Sequence, residues 1–451
     1  MFKPRSSISK YARLAVSAVL LAGVGSCHQQ SKQTVTLKLL RDGWAAPDEL
    51  PAVNALSAEF ARQTGIELEI IHGVPAETLD QLSLIRRLMQ QGAEGPDVME
   101  IDSAWLGTLE DDVVDLKPYF PDIARSSSSV VESSYVIGGK LVAVPYQIHV
   151  GVLAFRADLL RKYGFDHPPA TWTDLEKMAL RVQEGERAHG NKKFWGYIWP
   201  GAAAESLTCN ALEWQVDEGG GKIIESDGSI SVNDPAAIRA WQRARHWIGW
   251  ISPPSVTEYR EKDALDEFNS GRSAFLRFWA SELGRDSTRR DPNLRAEDWG
   301  WKSTIREIGI TAMPAGTVAR ASVLGGLGLG VSRYSKHPRE DAALIRFLLH
   351  KQLESFENGE IHPVSPEPIV YYAAEDRGSS QVSSGPNALR AIVIARPTRL
   401  APHVYEEVSK AYSRTVHSVL TGEKNASDAA SELENDLVKI TGLHPGLPVR
   451  E

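Results

Sequence analysis

Five segments decide the fold class: Val35–Leu40 (VTLKLL), Leu50–Gln63 (LPAVNALSAEFARQ), Ile66–Ile71 (IELEII), Thr78–Gln91 (TLDQLSLIRRLMQQ) and Asp97–Ile101 (DVMEI). The first, third and fifth are short apolar-rich runs of strand length. The second and fourth repeat apolar residues at helical spacing. Pro47-Asp48-Glu49 supplies start chemistry for the first helix, and Gly95-Pro96 leads into the third strand. Strands alternating with helices at this spacing predict an α/β layer with a mostly parallel sheet. Ligands of such sheets collect at the carboxyl ends of the strands, and Asp42, Trp44 and Asp102 stand just past such ends.

Working outward, Leu141–Tyr146 and Gly151–Phe155 read as two strands, followed by a helix over Arg156–Tyr163. Thr171-Trp172-Thr173-Asp174 opens a further helix, with Thr173 and Glu176 at capping-box spacing. Ala202–Trp214 and Pro235–Ile251 are helical. Ile310–Met313 and Leu327–Ser332 return to strand, and helices follow over Pro338–Leu353, Tyr405–Leu420 and Ala426–Ile440. No internal repeat is present.

The chain has 451 residues, 42% hydrophobic and 24% charged, which excludes collagen-like, coiled-coil and mainly disordered classes. That length predicts two or three domains, or two large lobes. A formal charge of −8 argues against a broad nucleic-acid-binding surface.

At the N-terminus, Lys3, Arg5, Lys10 and Arg13 form a basic region before the apolar stretch Leu14–Val24. This stretch is too short to span a bilayer and suits an export signal. It runs into Val24-Gly25-Ser26-Cys27, which resembles a bacterial lipobox with Cys27 as the lipidated residue; plain secretion is the alternative. The expected layout is a signal over 1–26 and a polar tether over 27–33, with anchoring to a membrane through Cys27 on the exported side. Cys209 is then the only cysteine left without a lipid role, so no intramolecular disulfide is expected.

The 12 His residues form no HxH, HxxxH or HExxH pattern, and neither a P-loop nor a GxSxG elbow occurs. No metal ligand, cofactor or motif-defined catalytic residue is therefore expected from these patterns. Gly325-Gly326-Leu327-Gly328-Leu329-Gly330 misses the dinucleotide spacing and marks backbone packed close to other groups. Motifs leave open a secreted carbohydrate-active enzyme with two carboxylates. Sugars present apolar C–H faces and a rim of hydroxyls, so their sites combine aromatic platforms with charged hydrogen-bond partners. Among the 12 Trp, Trp44, Trp105 and Trp279 stand beside strand ends or turns, whereas Trp241, Trp247 and Trp250 fall in a helical stretch where core packing is the default.

Several segments together resemble one family. Gly95-Pro96-Asp97-Val98 with Ile101-Asp102-Ser103-Ala104-Trp105 is similar to a segment of bacterial extracytoplasmic solute-binding proteins serving carbohydrate ABC importers, the group of the maltose- and trehalose/maltose-binding proteins. So are Gly139–Tyr146, Phe155–Leu160, Pro168–Trp172, Leu207-Thr208-Cys209-Asn210 with Glu213-Trp214, Asn269–Phe275 with Trp279, Leu324-Gly325-Gly326 with Ser332–Pro338, Ala395-Arg396-Pro397, and Val416–Gly422. In order, they cover nearly the whole chain after the signal.

The resemblance implies a type II periplasmic-binding-protein-like fold: two α/β lobes joined by several crossing segments and closing on a ligand. Residues 34–145 with about 308–350 would form one lobe, and about 146–307 with 351–451 the other. It implies a monomer that binds a di- or small oligosaccharide of trehalose or maltose type and meets the transmembrane subunits of the importer. Carried onto this chain, the ligand contacts fall on Thr78, Gln81, Asp102, Gln147, His149, Trp279, Gly325, Gly326, Leu327 and Arg396, and Trp44 and Trp105, from their places beside strand ends, are expected as further platforms. Gln147 and His149 stand where the family often has an aromatic and an Asp, Leu327 where it has Trp, and Gln81 where it has Arg. These departures leave the particular ligand open, including a polyol or glycosylated osmolyte.

Overall fold

The computed structural model describes residues 35–41, 50–72, 78–121, 123, 134–279, 300–303, 306–357 and 392–446. The N-terminal unit follows the alternation: β1 (Thr36–Arg41), α1 (Leu50–Thr64), β2 (Glu67–His72), α2 (Thr78–Met89) and β3 (Val98–Asp102). β1 pairs in parallel with both β2 and β3. Leu37 and Leu39 of β1 and Val98, Met99 and Ile101 of β3 are fully buried, with Phe60 of α1 packed in the same core.

A small hairpin, β4 (Val136–Ile137) and β5 (Lys140–Leu141), precedes the long strand β6 (Val144–Arg156). There follow α3 (Ala157–Lys162), α4 (Trp172–Ala188), β7 (Trp195–Ile198), α5 (Glu205–Asp217), β8 (Ser229–Ile230), α6 (Pro235–Trp247), α7 (Glu261–Asn269) and β9 (Ser273–Trp279). The chain continues through β10 (Gly300–Ser303), β11 (Arg306–Ala312), β12 (Ala321–Val331), α8 (Pro338–Glu357), β13 (Ile392–Ile394), α9 (Tyr405–Thr421), α10 (Ala426–Thr441) and β14 (His444–Pro445).

The two expected strands at 141–146 and 151–155 are mostly one. Residues 144–150 of β6 pair antiparallel with β12, and residues 151–156 pair antiparallel with β9 and β11. The change of partner falls between Val150 and Gly151. β12 likewise joins β13 at Ala321–Val323, β6 from Leu324 and β3 from Leu327. These two long strands therefore cross from the parallel unit into the antiparallel one. The parallel arrangement is confined to β2–β1–β3 on that side, where α1 and α2 make crossover connections.

The cap of α4 also differs from the expected pair. Thr171, in extended conformation, accepts from Asp174 N at 3.1 Å, and the Asp174 carboxylate accepts in return from Thr171 N. The helix begins at Trp172, which puts the cap two residues before Thr173 and gives the third helical position to Asp174, not Glu176.

The glycine run of β12 is packed close, as expected from sequence. A Cβ on Gly328 would lie 2.6 Å from the Tyr135 ring, and one on Gly330 2.6 Å from the Ile101 side chain. Gly326 has φ +111° at the register shift, and a Cβ there would sit 2.0 Å from the Gln147 carbonyl oxygen. Gly326→Ala should therefore lose about 1–3 kcal/mol or more of stability from overpacking and backbone strain, read as a lower denaturation midpoint at unchanged m-value.

Candidate functional site

One face of the central sheet carries most of the sequence-predicted residues. Leu327 of β12 is in register with Gln147 of β6 on one side and with Asp102 of β3 on the other. Two residues back along β12, Gly325 pairs with His149, and Gly151 of β6 pairs with Trp279 of β9. Residues in register, or two apart on a strand, share a face, so these side chains line one trough. Val144, Pro145, Ile148 and Val150 of β6 are buried, whereas Gln147 and His149 in mid-strand are only half-buried. Partial exposure of polar residues inside an otherwise buried strand marks a cleft floor.

Glycines give the trough its depth. A Cβ on Gly325 would lie 2.9 Å from the Trp279 ring, and one on Gly151 would meet Glu213 Oε1 at 2.1 Å. Trp279 thus lies across the sheet, 8% exposed, with Nε1 donating to Glu261 Oε1 at 2.7 Å and the Arg277 guanidinium 4.2 Å from its ring centre. Both bonding partners fix the plane of the indole.

Asp102 ends β3. Its Oδ1 accepts from Ala104 N at 2.7 Å and from Arg396 Nη2 at 3.0 Å, and its side chain keeps 25% exposure. Its Oδ2 has no partner among the described residues. Arg396, just past β13, is 6% exposed and also donates to Ser103 Oγ at 2.8 Å and to Glu205 Oε1 at 2.8 Å. Burial works against its charge, but the facing carboxylate of Asp102, with Glu205, holds its pKa well above the ordinary guanidinium range. Arg396 was expected to bond hydroxyls; among the described residues its Nη1 and Nη2 donate to Glu205, Asp102 and Ser103.

Trp105 is also placed differently from expectation. The turn after β3 carries it inward, 1% exposed, with its ring edge against Tyr405 at 5.9 Å. It packs core and offers no open face. Gln81 is buried on α2; the side chain of Thr78 and all of Trp44 and Cys27 lie outside the described residues. Gly326 contributes backbone: its carbonyl accepts from Ser103 N at 2.9 Å, tying the glycine turn to the end of β3.

Three acids beside this trough were absent from the sequence-predicted set. Glu205, Glu213 and Asp217 lie on α5, with Cys209 between the first two, in successive steps of four residues on one side of the helix. Glu213 and Arg277 form a fully buried pair at 2.7 Å, and Glu213 Oε1 also accepts from Val323 N at 3.0 Å. Asp217 accepts from Trp172 Nε1 at 2.9 Å and from Ala321 N. Burial outweighs these bonds and pushes the Asp217 carboxyl up to about 8. The available signal was a lone charge in an apolar run: Arg277 in Ser273–Trp279, Glu213 in Leu207–Trp214.

A separate hollow of about 340 Å³ is lined by Glu258, Tyr259, Asp263, Asp266, Glu267 and Arg272. Its lining is dominated by carboxylates and includes none of the trough residues.

Comparison with known proteins places this geometry. Residues 46–352 match the model of the bacterial extracellular solute-binding protein family. A probable ABC transporter-binding protein of Deinococcus radiodurans is 34% identical over 389 residues, covering 85% of this chain and 89% of the relative. A maltose-bound MalE3 of T. maritima superposes with a TM-score of 0.71 at 26% identity, over 90% of this chain and 99% of that one. An ABC transporter solute-binding protein of Thermotoga lettingae, bound with α-D-tagatose, gives 0.72 at 18% identity, over 91% and 100%.

Two outcomes follow from the acids of α5. Arg277→Met strands a buried carboxylate and should cost about 3–5 kcal/mol in urea denaturation, much of it recovered by adding Glu213→Gln. Asp217, with its folded pKa raised, contributes stability that is fullest below its unfolded value near 4 and is lost as pH rises through about 8. Asp217→Asn should flatten that part of the fall in melting temperature between pH 5 and pH 8.

Proposed function

Because the chain belongs to the bacterial extracellular solute-binding protein family, we propose that it captures a di- or small oligosaccharide of trehalose or maltose type by lobe closure. The chain is an exported, non-enzymatic substrate-binding component of a sugar ABC transporter with a type II binding-protein fold. The paired-carboxylate enzyme considered from sequence is thereby set aside.

The observation that carries the finer reading is the shared face of Trp279, His149, Gln147 and Asp102 over a glycine floor. A fixed indole suits the C–H face of a pyranose, and a carboxylate oxygen with no partner among the described residues suits its hydroxyls. The maltose-bound relative supports a disaccharide-sized ligand. The hinge is proposed where β6 changes partners between Val150 and Gly151, with β12 as a second crossing and the segment around Arg396 as a third. Cys27 is proposed as the lipid attachment that keeps the protein beside its transporter.

A smaller or more polar ligand of the same cleft, such as a polyol or glycosylated osmolyte, is the second reading. Leu327 favours it: the residue between Gln147 and Asp102 offers less flat apolar area than the family Trp.

A thermal-shift series over mono-, di- and trisaccharides and polyols tests both, since a ligand binding only the native state raises its melting temperature. The main reading expects the largest shift from a disaccharide, the second from a polyol; no shift in the series would overturn both. Trp279→Ala should weaken calorimetric binding of the selected ligand at least about tenfold, equivalent to about 1.4 kcal/mol; unchanged affinity removes Trp279 from the site.

A further inference from the structure

Glu205 lies outside the trough and was in no expected set of contacts, yet it is the far end of a buried chain of charges that reaches the trough. Its Oε1 accepts from Arg396 Nη1 at 2.8 Å and from Tyr405 Oη at 2.5 Å, and its Oε2 accepts from Ser409 Oγ. Ser409 is in turn bonded to Thr208 of α5. Both carboxylate oxygens are therefore occupied, by donors from the segment after β13 and from α9. Glu205 is 8% exposed, so its position is set by packing as well as by bonding.

The guanidinium of Arg396 is planar and carries donors in a fixed fork. With Nη1 held by Glu205, Nη2 is directed at Asp102 Oδ1 and Ser103 Oγ. Asp102 Oδ1 also receives Ala104 N. Those bonds fix Oδ1, while Oδ2 has no partner among the described residues and the side chain keeps 25% exposure. Glu205, Arg396 and Asp102 come from α5, the segment after β13 and the end of β3, three stretches remote in sequence. Arg396 is shared between two acids, so a change at one is felt at the other through the low-dielectric interior.

We propose that Glu205 is a positioning residue for the ligand site, acting through Arg396 to hold the Asp102 carboxylate in the orientation that receives a ligand hydroxyl. This rests on the functional reading above, in which Asp102 faces the ligand. It makes Asp102 a point where a ligand on the β3 side of the cleft is joined mechanically to α5 and α9.

The test is a double-mutant cycle on the full chain with maltose as probe. Glu205→Gln keeps the size of the side chain but removes its charge, and should raise Kd at least about tenfold by calorimetry. In an Asp102→Asn background the same change should add less than about twofold, because its route to the ligand is gone. Arg396→Lys, a point charge that cannot span both acids, should reproduce the loss and serves as the second variant should Glu205→Gln fold poorly. Affinity within twofold of wild type for both variants, or an equal fold-loss from Glu205→Gln in both backgrounds, would overturn the proposal.

A ligand-free readout separates this from failure of the functional reading. The Ala104 amide, bonded to Asp102 Oδ1, should exchange its proton about tenfold faster in Glu205→Gln, measured by NMR on ¹⁵N-alanine-labelled protein. The buried Ala179 amide of α4 should stay unchanged. If the wild type binds no maltose but Ala104 responds, the positioning chain stands and the maltose assignment falls. If Ala104 exchanges no faster than in the wild type, or if Ala179 accelerates equally, Glu205 does not hold Asp102.

Discussion

Buried charge must be paired, and on α5 that requirement organises the centre of the molecule. Glu205, Glu213 and Asp217 are each nearly or fully buried on a helix whose residues are almost all inside. Glu205 and Glu213 can be there only with partners, since stranding a buried charge would cost several kcal/mol. Burial instead keeps the Asp217 carboxyl protonated up to about pH 8, and it is held by the Trp172 indole and the Ala321 amide. The partners are what the site needs: Arg396 and through it Asp102; Arg277, which stacks on Trp279; and the backbone of β12 at Val323 and Ala321. The helix thus ties the segment after β13, the floor strand and the aromatic strand to one rigid support.

Glycine is the complementary constraint. Gly151 admits the Glu213–Arg277 pair against the sheet, Gly325 admits the Trp279 ring, and Gly326 takes a backbone conformation that side chains resist. Any Cβ at these places would meet a neighbour inside ordinary contact distance. The trough is therefore made by what the two crossing strands lack, while its polar rim is made by Gln147, His149 and Asp102.

Much of the fold was legible from local pattern. The run from Val35 to Asp102 announces strand–helix–strand–helix–strand because apolar spacing along a chain reports directly which side of an element is buried. The same logic failed where burial is interrupted. β6 was read as two strands because Gln147 and His149 break the apolar run, and they break it because that stretch faces the cleft. The Thr171–Asp174 cap was shifted by two residues for a smaller reason: side-chain spacing alone does not say which threonine leaves the helical conformation.

The sequence by itself determined the α/β class, the glycine-lined close packing of β12, and Asp102 and Trp279 as candidates for the ligand site. It did so through periodicity, composition and an ordered set of family-like segments. Only the tertiary structure decided what Arg396 and Trp105 do. Arg396 bonds Asp102, Ser103 and Glu205, and Trp105 is turned against Tyr405. Glu205 and Glu213 became visible in the same way. A charged or aromatic side chain takes its role from its partners, and here those partners lie from about sixty to about three hundred residues away, where no local pattern reaches.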